Sequence, residues 1–276
     1  FVDDGSKDGS LSALERLLPG AGFPSRLVVL SRNFGSFAAI RAGLAAGSGD
    51  AFAVLAADLQ EPPGLVVDFG DALLSGTCDV VVGRREGRSD PLSSRAASGL
   101  FWWAYRWLVQ RDVPPGGVDV FGCTRRFRDE ILGLPESNTS LVGLVYWLGF
   151  RRKEVPYVRL ERRHGKSGWS FRRKLRYLLD SAFAFTDLPI RLLSLVGLAG
   201  MAASVLLATV VLAAKAAGRI QVPGYTATVL VVMFFGGLNS FGIGLVGEYV
   251  WRTFENTKRR PGWVAARAES YAGRGA

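Results

Sequence analysis

Apolar residues in the first half of the chain come in short runs separated by stretches of helical spacing. Leu27-Val28-Val29-Leu30, Ala51-Phe52-Ala53-Val54-Leu55 and Asp79-Val80-Val81-Val82-Gly83 have the length and composition of buried strands. Between them, Leu11 to Leu18 (with Ser10 as N-cap), Phe37 to Ala46 and Leu65 to Leu74 carry helical patterns. Strands alternating with helices predict βαβ units, a mostly parallel sheet and hence an α/β domain. Phe1-Val2 reads as the end of another strand, running into the acidic turn Asp3-Asp4-Gly5-Ser6. The chain begins inside that strand and without Met, so residues upstream are expected.

The second half changes character. From Ser170 to Leu188, Phe171, Leu175, Leu178, Leu179, Ala182 and Phe183 share one helical face, while Arg172, Arg173, Lys174 and Arg176 supply the other. That pattern predicts a helix lying on anionic headgroups, although a core-packed surface helix would carry it too. Leu192 to Ala214 is an uninterrupted apolar stretch between Arg191 and Lys215. At about 1.5 Å per residue it crosses a hydrocarbon core of roughly 30 Å. The polar link Gly218 to Tyr225 leads to a second span, Ala227 to Val250, interrupted by Asn239 and Ser240 and carrying Glu248 near its end. Polar groups in a span turn toward another helix, so helix–helix contact or a homo-oligomer is expected. Arg252, Lys258, Arg259, Arg260 and Arg267 follow, whereas the link between the spans is flanked only by Lys215 and Arg219. The positive-inside rule then places the N-terminal domain and the tail in the cytoplasm.

Charge adds a partner. The 276 residues are 49% hydrophobic yet carry a formal net charge of +10. With the apolar segments confined to two spans, the basic surface is expected to face membrane lipid phosphate rather than nucleic acid. Cys78 and Cys123 are the only cysteines, which excludes a disulfide framework and zinc spacing.

Candidate chemistry centres on Asp58-Leu59-Gln60-Glu61-Pro62-Pro63. The strand before it ends on an acid and an amide, and the prolines stop it from continuing. Carboxyl ends of strands are where open α/β sheets bind ligands, and Asp58 and Gln60 offer oxygen to a hard divalent cation holding phosphates. Alone, Asp58 would be an ordinary turn cap. Further on, Arg84, Arg85 and Arg88 precede Ser93, Ser94, Arg95 and Ser98, then Phe101-Trp102-Trp103-Ala104-Tyr105. Guanidinium forks beside hydroxyls suit a phosphate, and Trp and Tyr settle at headgroup level, though a core helix uses such aromatics as well.

Val2-Asp3-Asp4-Gly5-Ser6, Arg32-Asn33-Phe34-Gly35 and Asp58-Leu59-Gln60-Glu61-Pro62-Pro63 stand in the order and spacing of family 2 glycosyltransferases. The chain resembles their polyprenyl-phosphate branch, which includes dolichol-phosphate mannose synthases and bacterial GtrB-like enzymes. The ending Gly247-Glu248-Tyr249 to Lys258-Arg259-Arg260-Pro261 resembles the bacterial members, so the resemblance covers nearly the whole chain. It implies a GT-A (Rossmann-like) catalytic domain over 1–165, amphipathic interface helices over 166–190, a two-helix transmembrane hairpin over 191–251 and a basic cytoplasmic tail over 252–276. It also implies an inverting, membrane-bound transfer of sugar from a nucleotide-diphosphate sugar to a polyprenyl phosphate, with Mg²⁺ or Mn²⁺. By the same resemblance Asp3, Asp4, Arg32 and Asn33 lie at the nucleotide, Asp58 and Gln60 at the metal, and Asp58 and Asp119 at the chemistry. Arg84, Arg95, Ser98, Arg162 and Ser167 would hold the acceptor's phosphate, the last two through the pattern Arg-x-x-Gly-x-Ser. His164, inside that pattern, is expected to be a solvated loop residue.

Two departures stand out. The family's first strand, with its Pro-x-Tyr-Asn-Glu-like turn, has no counterpart here, and the leading acid of Asp-x-Asp-x-Gln is Ala56. Both leave open an inactive paralogue with a binding role. A processive polysaccharide synthase would need Gln-x-x-Arg-Trp and more spans, and the chain has neither.

Overall fold

The chain's strands pair into two sheets. The computed structural model describes residues 1–86, 92–114, 117–134, 136, 139–160, 171–218 and 224–273. Its strands are β1 (Val2–Asp3), β2 (Ser25–Leu30), β3 (Ala51–Ala53), β4 (Val80–Arg85), β5 (Phe121–Thr124), β6 (Arg152–Tyr157) and β7 (Ala265–Tyr271). The helices are α1 (Ser10–Leu17), α2 (Ser36–Ala46), α3 (Leu65–Leu74), α4 (Leu92–Leu108), α5 (Arg125–Gly133), α6 (Leu141–Trp147), α7 (Phe171–Phe185), α8 (Leu188–Ala216) and α9 (Tyr225–Thr257). One sheet runs β1-β2-β7 and the other β3-β5-β4-β6.

The α/β class holds, but the expected mostly parallel sheet is a mixed one. Among the described residues β1–β2 and β4–β6 are parallel, whereas β2–β7, β3–β5 and β4–β5 are antiparallel. A parallel neighbour needs a crossover that returns the chain to the strand's starting end. β5 instead enters beside the far end of β4, with Phe121 opposite Val82 and Cys123 opposite Val80. Apolar period reports burial and not direction, which is why the pattern alone missed this.

Apolar clusters hold these sheets, one of them Leu18, Leu27 and Val29 with Leu11, Leu14 and Tyr271. Leu65, Phe69 and Leu73 of α3 pack on Val81, Val120 and Tyr157. Ala42 of α2 packs on Val28 and Leu30, joined by Trp263. α2 passes close to both sheets, because Gly43 lies against Val2 and Gly47 against the Phe52 ring. The aromatic run in α4 divides by face. Tyr105 stacks on Tyr177 at 5.7 Å between ring centroids and shares a 3.0 Å hydrogen bond with Ser140 Oγ, while Trp103 and Trp107 are exposed.

The chain forms two compact units, Phe1–Ser181 with Arg259–Ala276, and Ala182–Lys258. The stretch expected as a basic tail over 252–276 is therefore divided. Its first residues belong to α9, and 265–271 are β7, which runs antiparallel along the whole of β2. The Val264 carbonyl accepts from Ser31 N at 2.9 Å, and Trp263 packs against the cluster of Val28, Leu30 and Ala42. Edge strands expose unpaired amides, and β7 covers those of β2.

In the second unit α8 and α9 run antiparallel. Gly200 lies against the Phe235 ring and Gly242 against Leu193, so small residues let the helices approach. Among the described residues one helix, Val231–Thr257, is long and apolar enough by itself to cross a membrane. α8 occupies the stretch expected as the other span, and α7 that of the interfacial helix.

Removing 259–276 strips β7 and Trp263 from β2. The truncated chain is expected to unfold about 5–10 °C below the full chain in detergent, since each kcal/mol lost shifts a unit of this size by about 2–4 °C. Thermal unfolding followed by circular dichroism checks this; an unchanged midpoint would show β7 to be dispensable.

Candidate active site

Two loops, one acidic and one carrying Arg32 and Asn33, meet at the end of the first sheet. Asp3, at the end of β1, is buried and accepts from Ser6 N at 3.2 Å. Asp4 Oδ1 accepts from Phe34 N at 2.7 Å and Oδ2 from Gly35 N at 2.9 Å, while Asn33 Nδ2 donates to the Asp4 carbonyl at 3.0 Å. The motifs Asp-Asp-Gly-Ser and Arg-Asn-Phe-Gly are thus one structure. Asp4 and Asn33 bind the two loops together, and the Arg32 guanidinium lies 4.0 Å above the Phe34 ring. Gly5 is required there: its φ is +69°, and a Cβ would lie 2.7 Å from Asn33 N.

Beyond β3 the chain leaves the strand earlier than its apolar run predicts and turns at Asp58. Asp58 Oδ1 accepts from Gln60 N at 3.3 Å, which forces Leu59 into the left-handed region at φ 55°. A leucine there costs about 1 kcal/mol, and at 55% exposure burial of its side chain offsets little of that. What holds the turn is the chain beyond β6. Arg159 Nη2 donates to Gln60 Oε1 at 2.7 Å, Leu160 N to the Gln60 carbonyl at 2.8 Å, and Gln60 Nε2 to the Leu160 carbonyl at 3.4 Å. Glu61 follows with only 2% of its side chain exposed, its Oε1 lying 3.8 Å from Arg159 Nε. Burial pushes the Glu61 carboxyl up. Arg159 opposes that rise, and Asp58 adds to it.

Asp119 collects the third set of groups. It forms an ion pair with Arg85, whose side chain is 10% exposed, and accepts from Tyr157 OH at 3.2 Å. Arg159 Nη1 lies 3.9 Å from the same carboxylate oxygen. Burial raises the Tyr157 phenol, which stays protonated and donates. Gly83 makes room for this. A Cβ there would lie 2.7 Å from Val120 Cγ2 and 2.9 Å from Tyr157 Cε1. Arg84, singled out in the sequence, points elsewhere. Its guanidinium is paired with Glu86 at 2.7 Å and Glu154 at 3.2 Å, at 43% exposure.

The structure thus brings Gln60 and Asp119 to the Arg159 guanidinium, with Asp58 capping the turn that carries Gln60, and joins Asp3, Asp4, Arg32 and Asn33 in a loop pair at the other sheet. Arg95 and Ser98 lie on α4, with side chains outside the described set; Arg162, His164 and Ser167 also lie outside the described residues. Sequence reasoning missed Arg85, Arg159, Glu61 and Tyr157 as site residues. Period two held a signal for three of them. Arg84 and Arg85 on a strand must face opposite ways, and Tyr157 and Arg159 share a face.

Among the described residues no group of three or more His, Cys, Asp or Glu side chains is placed to hold a metal. The donor set nevertheless fits a hard divalent cation that takes most of its oxygens from phosphates and water. Asp58 supplies one carboxylate, and its charge adds to the rise of the buried Glu61 beside it.

The family model "Glycosyl transferase family 2" matches residues 1–132, which contain both acidic turns and Asp119. A Bacillus subtilis protein named as a glycosyltransferase, CsbB, is 32% identical over 270 residues, covering 97% of this chain and 81% of that one. The undecaprenyl-phosphate 4-deoxy-4-formamido-L-arabinose transferase of Klebsiella pneumoniae is 32% identical over 276 residues, covering 97% and 82%. The bactoprenol glucosyl transferase of Shigella phage SfV is 29% identical over 268 residues, covering 96% and 86%. The chain belongs to glycosyl transferase family 2. It is a glycosyltransferase, and its mixed α/β sheets fit the GT-A fold of that family.

The two arginines of β4 make opposite predictions in this glycosyltransferase. Arg84→Ala removes two exposed pairs, each worth about 0–1 kcal/mol and both away from Asp119, and is expected to change turnover less than about fivefold. Arg85→Ala strands the Asp119 charge at a cost of about 2–5 kcal/mol, a loss of at least about thirtyfold if borne by the transition state. Steady-state rates of the two variants decide between them; equal losses would contradict the assignment.

Proposed function

We propose that this glycosyltransferase moves a sugar from a nucleotide-diphosphate sugar to a polyprenyl phosphate at the cytoplasmic face of a membrane. The product would be a lipid-linked sugar donor for cell-envelope glycan. The observation that carries this reading is the extent of the likeness. It runs over 96–97% of the chain with relatives named for bactoprenol or undecaprenyl-phosphate acceptors, through α8 and α9 as well as the sugar-transfer unit. α8 and α9 form the anchor, and α7 lies at the interface with its basic residues toward headgroups. A polyprenyl tail stays in the bilayer, so the site must be held against it.

The acceptor sets the chemistry. A phosphate monoester has a second pKa of about 6, so at neutral pH it is already an anion and needs no base to strip a proton. Its oxygen attacks the anomeric carbon opposite the bond to the nucleoside diphosphate, which leaves with the electron pair, and the configuration inverts. The protein's task is to bring two anions together. Arg85, ordered by Asp119, faces the acceptor's phosphate, and Arg95, Ser98, Arg162 and Ser167 are further candidates for it. Asp119 holds guanidiniums and does not remove a proton. Asp3, Asp4, Arg32 and Asn33 form the nucleotide-side loops, with Asp4 and Asn33 giving them shape. Asp58 would hold Mg²⁺ or Mn²⁺, and Gln60 keeps its turn in place. When bound, that ion supplies a Lewis acid for the departing diphosphate.

Membranes bearing the protein, given labelled nucleotide sugars and undecaprenyl phosphate, are expected to form lipid-linked label that EDTA removes and Mg²⁺ or Mn²⁺ restores. Asp58→Ala is expected to reduce that label to background. Absence of label with every donor tried would overturn the proposal.

A further inference from the structure

We infer that Arg159 is a positioning residue, clamping the strained Asp58 turn at a set distance from Asp119. The inference rests on the sugar-transfer reading only for its kinetic consequences. Its geometry stands alone. The Arg159 guanidinium, on the chain beyond β6, meets both the Gln60-Glu61 turn and Asp119. Nη2 donates to Gln60 Oε1 at 2.7 Å, Nε faces Glu61 Oε1 at 3.8 Å, and Nη1 faces Asp119 Oδ2 at 3.9 Å.

Each contact has a reason. Leu59 sits in the left-handed region with little burial to reward it, so the turn is kept by outside restraint. The restraint is on Gln60, gripped by the Arg159 side chain and by both backbone groups of Leu160. Glu61 supplies a buried countercharge beneath the guanidinium, and among the described residues its Oε2 has no hydrogen-bond partner, so Arg159 is its nearest compensation. Asp119 closes the set from β5's side of the site. Only arginine serves here. Its planar fork offers N–H groups in three directions at once, whereas a lysine ammonium at the same place reaches one acceptor well. Gln60 thereby acquires a role other than metal ligand. Its carboxamide oxygen is turned to Arg159, and it transmits the position of β6 to Asp58.

The experiment reads the turn directly in the full-length protein in detergent, by amide hydrogen exchange over 55–65. Arg159→Met is expected to speed exchange there about tenfold or more while leaving β2 and β4 peptides unchanged. Arg159→Lys is expected to fall between the two. Gln60→Ala is expected to speed exchange similarly, and the double variant to add little, because both act through one contact. In the transfer assay Arg159→Met is expected to lower kcat about 100-fold with the acceptor's KM shifted less than threefold, and Arg159→Lys to recover part of kcat. Unchanged exchange over 55–65 in Arg159→Met would overturn the inference. So would additive effects of the Arg159 and Gln60 variants, or an acceptor KM that carries the whole kinetic loss. If Arg159→Met does not fold, the Arg159→Lys and Gln60→Ala pair decides by the same exchange readout. Loosened exchange in a protein that transfers no sugar would uphold the clamp and defeat the proposed reaction.

Discussion

Asp119 gathers two guanidiniums and a phenol around one carboxylate, and the geometry of the site depends on that gathering. An arginine drawn partly out of water keeps its place only if a countercharge meets it there, and removing either partner leaves the other stranded. Arg85 reaches the carboxylate from β4, Tyr157 from β6 and Arg159 from just beyond β6, so strands that pair by backbone hydrogen bonds are also tied at their ends by charge. Arg159 then extends the tie to Gln60 and the Asp58 turn, and a flexible loop becomes part of a fixed frame. Positive groups held ready in this way face anions without reorganising when they arrive.

That arrangement suits a reaction between two anions better than one that needs a base. In the transfer proposed above, repulsion between a phosphate acceptor and a nucleoside diphosphate is the obstacle, and preorganised cations lower it. A carboxylate already accepting from a phenol and paired with arginine is a poor proton acceptor but a good scaffold for arginine. The carboxylates divide the work by their surroundings. Asp58 caps its own turn, Asp4 shapes a loop by taking two backbone amides, and Glu61 is buried as a countercharge.

The first unit is completed by the far end of the chain. β7 follows α9 in sequence and pairs with β2, next to the strand that carries Asp3. The sheet that carries the Asp3-Asp4 and Arg32-Asn33 loops is thus completed by residues more than two hundred positions away from them. Such a contact is long in sequence and short in space, and no local pattern announces it.

What the residues announced locally was correct where the cause is local. Apolar runs marked β2 and β4, the long apolar stretches marked the helices α8 and α9, and the turns at Asp4 and Asp58 fell at loop positions, because burial, helix-forming pattern and turn chemistry are properties of neighbouring residues. The ordered motifs placed the chain among glycosyltransferases for the same reason. Strand direction, the fate of the stretch after 258, the choice of Arg85 over Arg84 against Asp119, and the grip of Arg159 on Gln60 were decided only by tertiary structure. Each depends on which distant segment arrives alongside and from which side, and a face of a strand acquires meaning only when something packs against it.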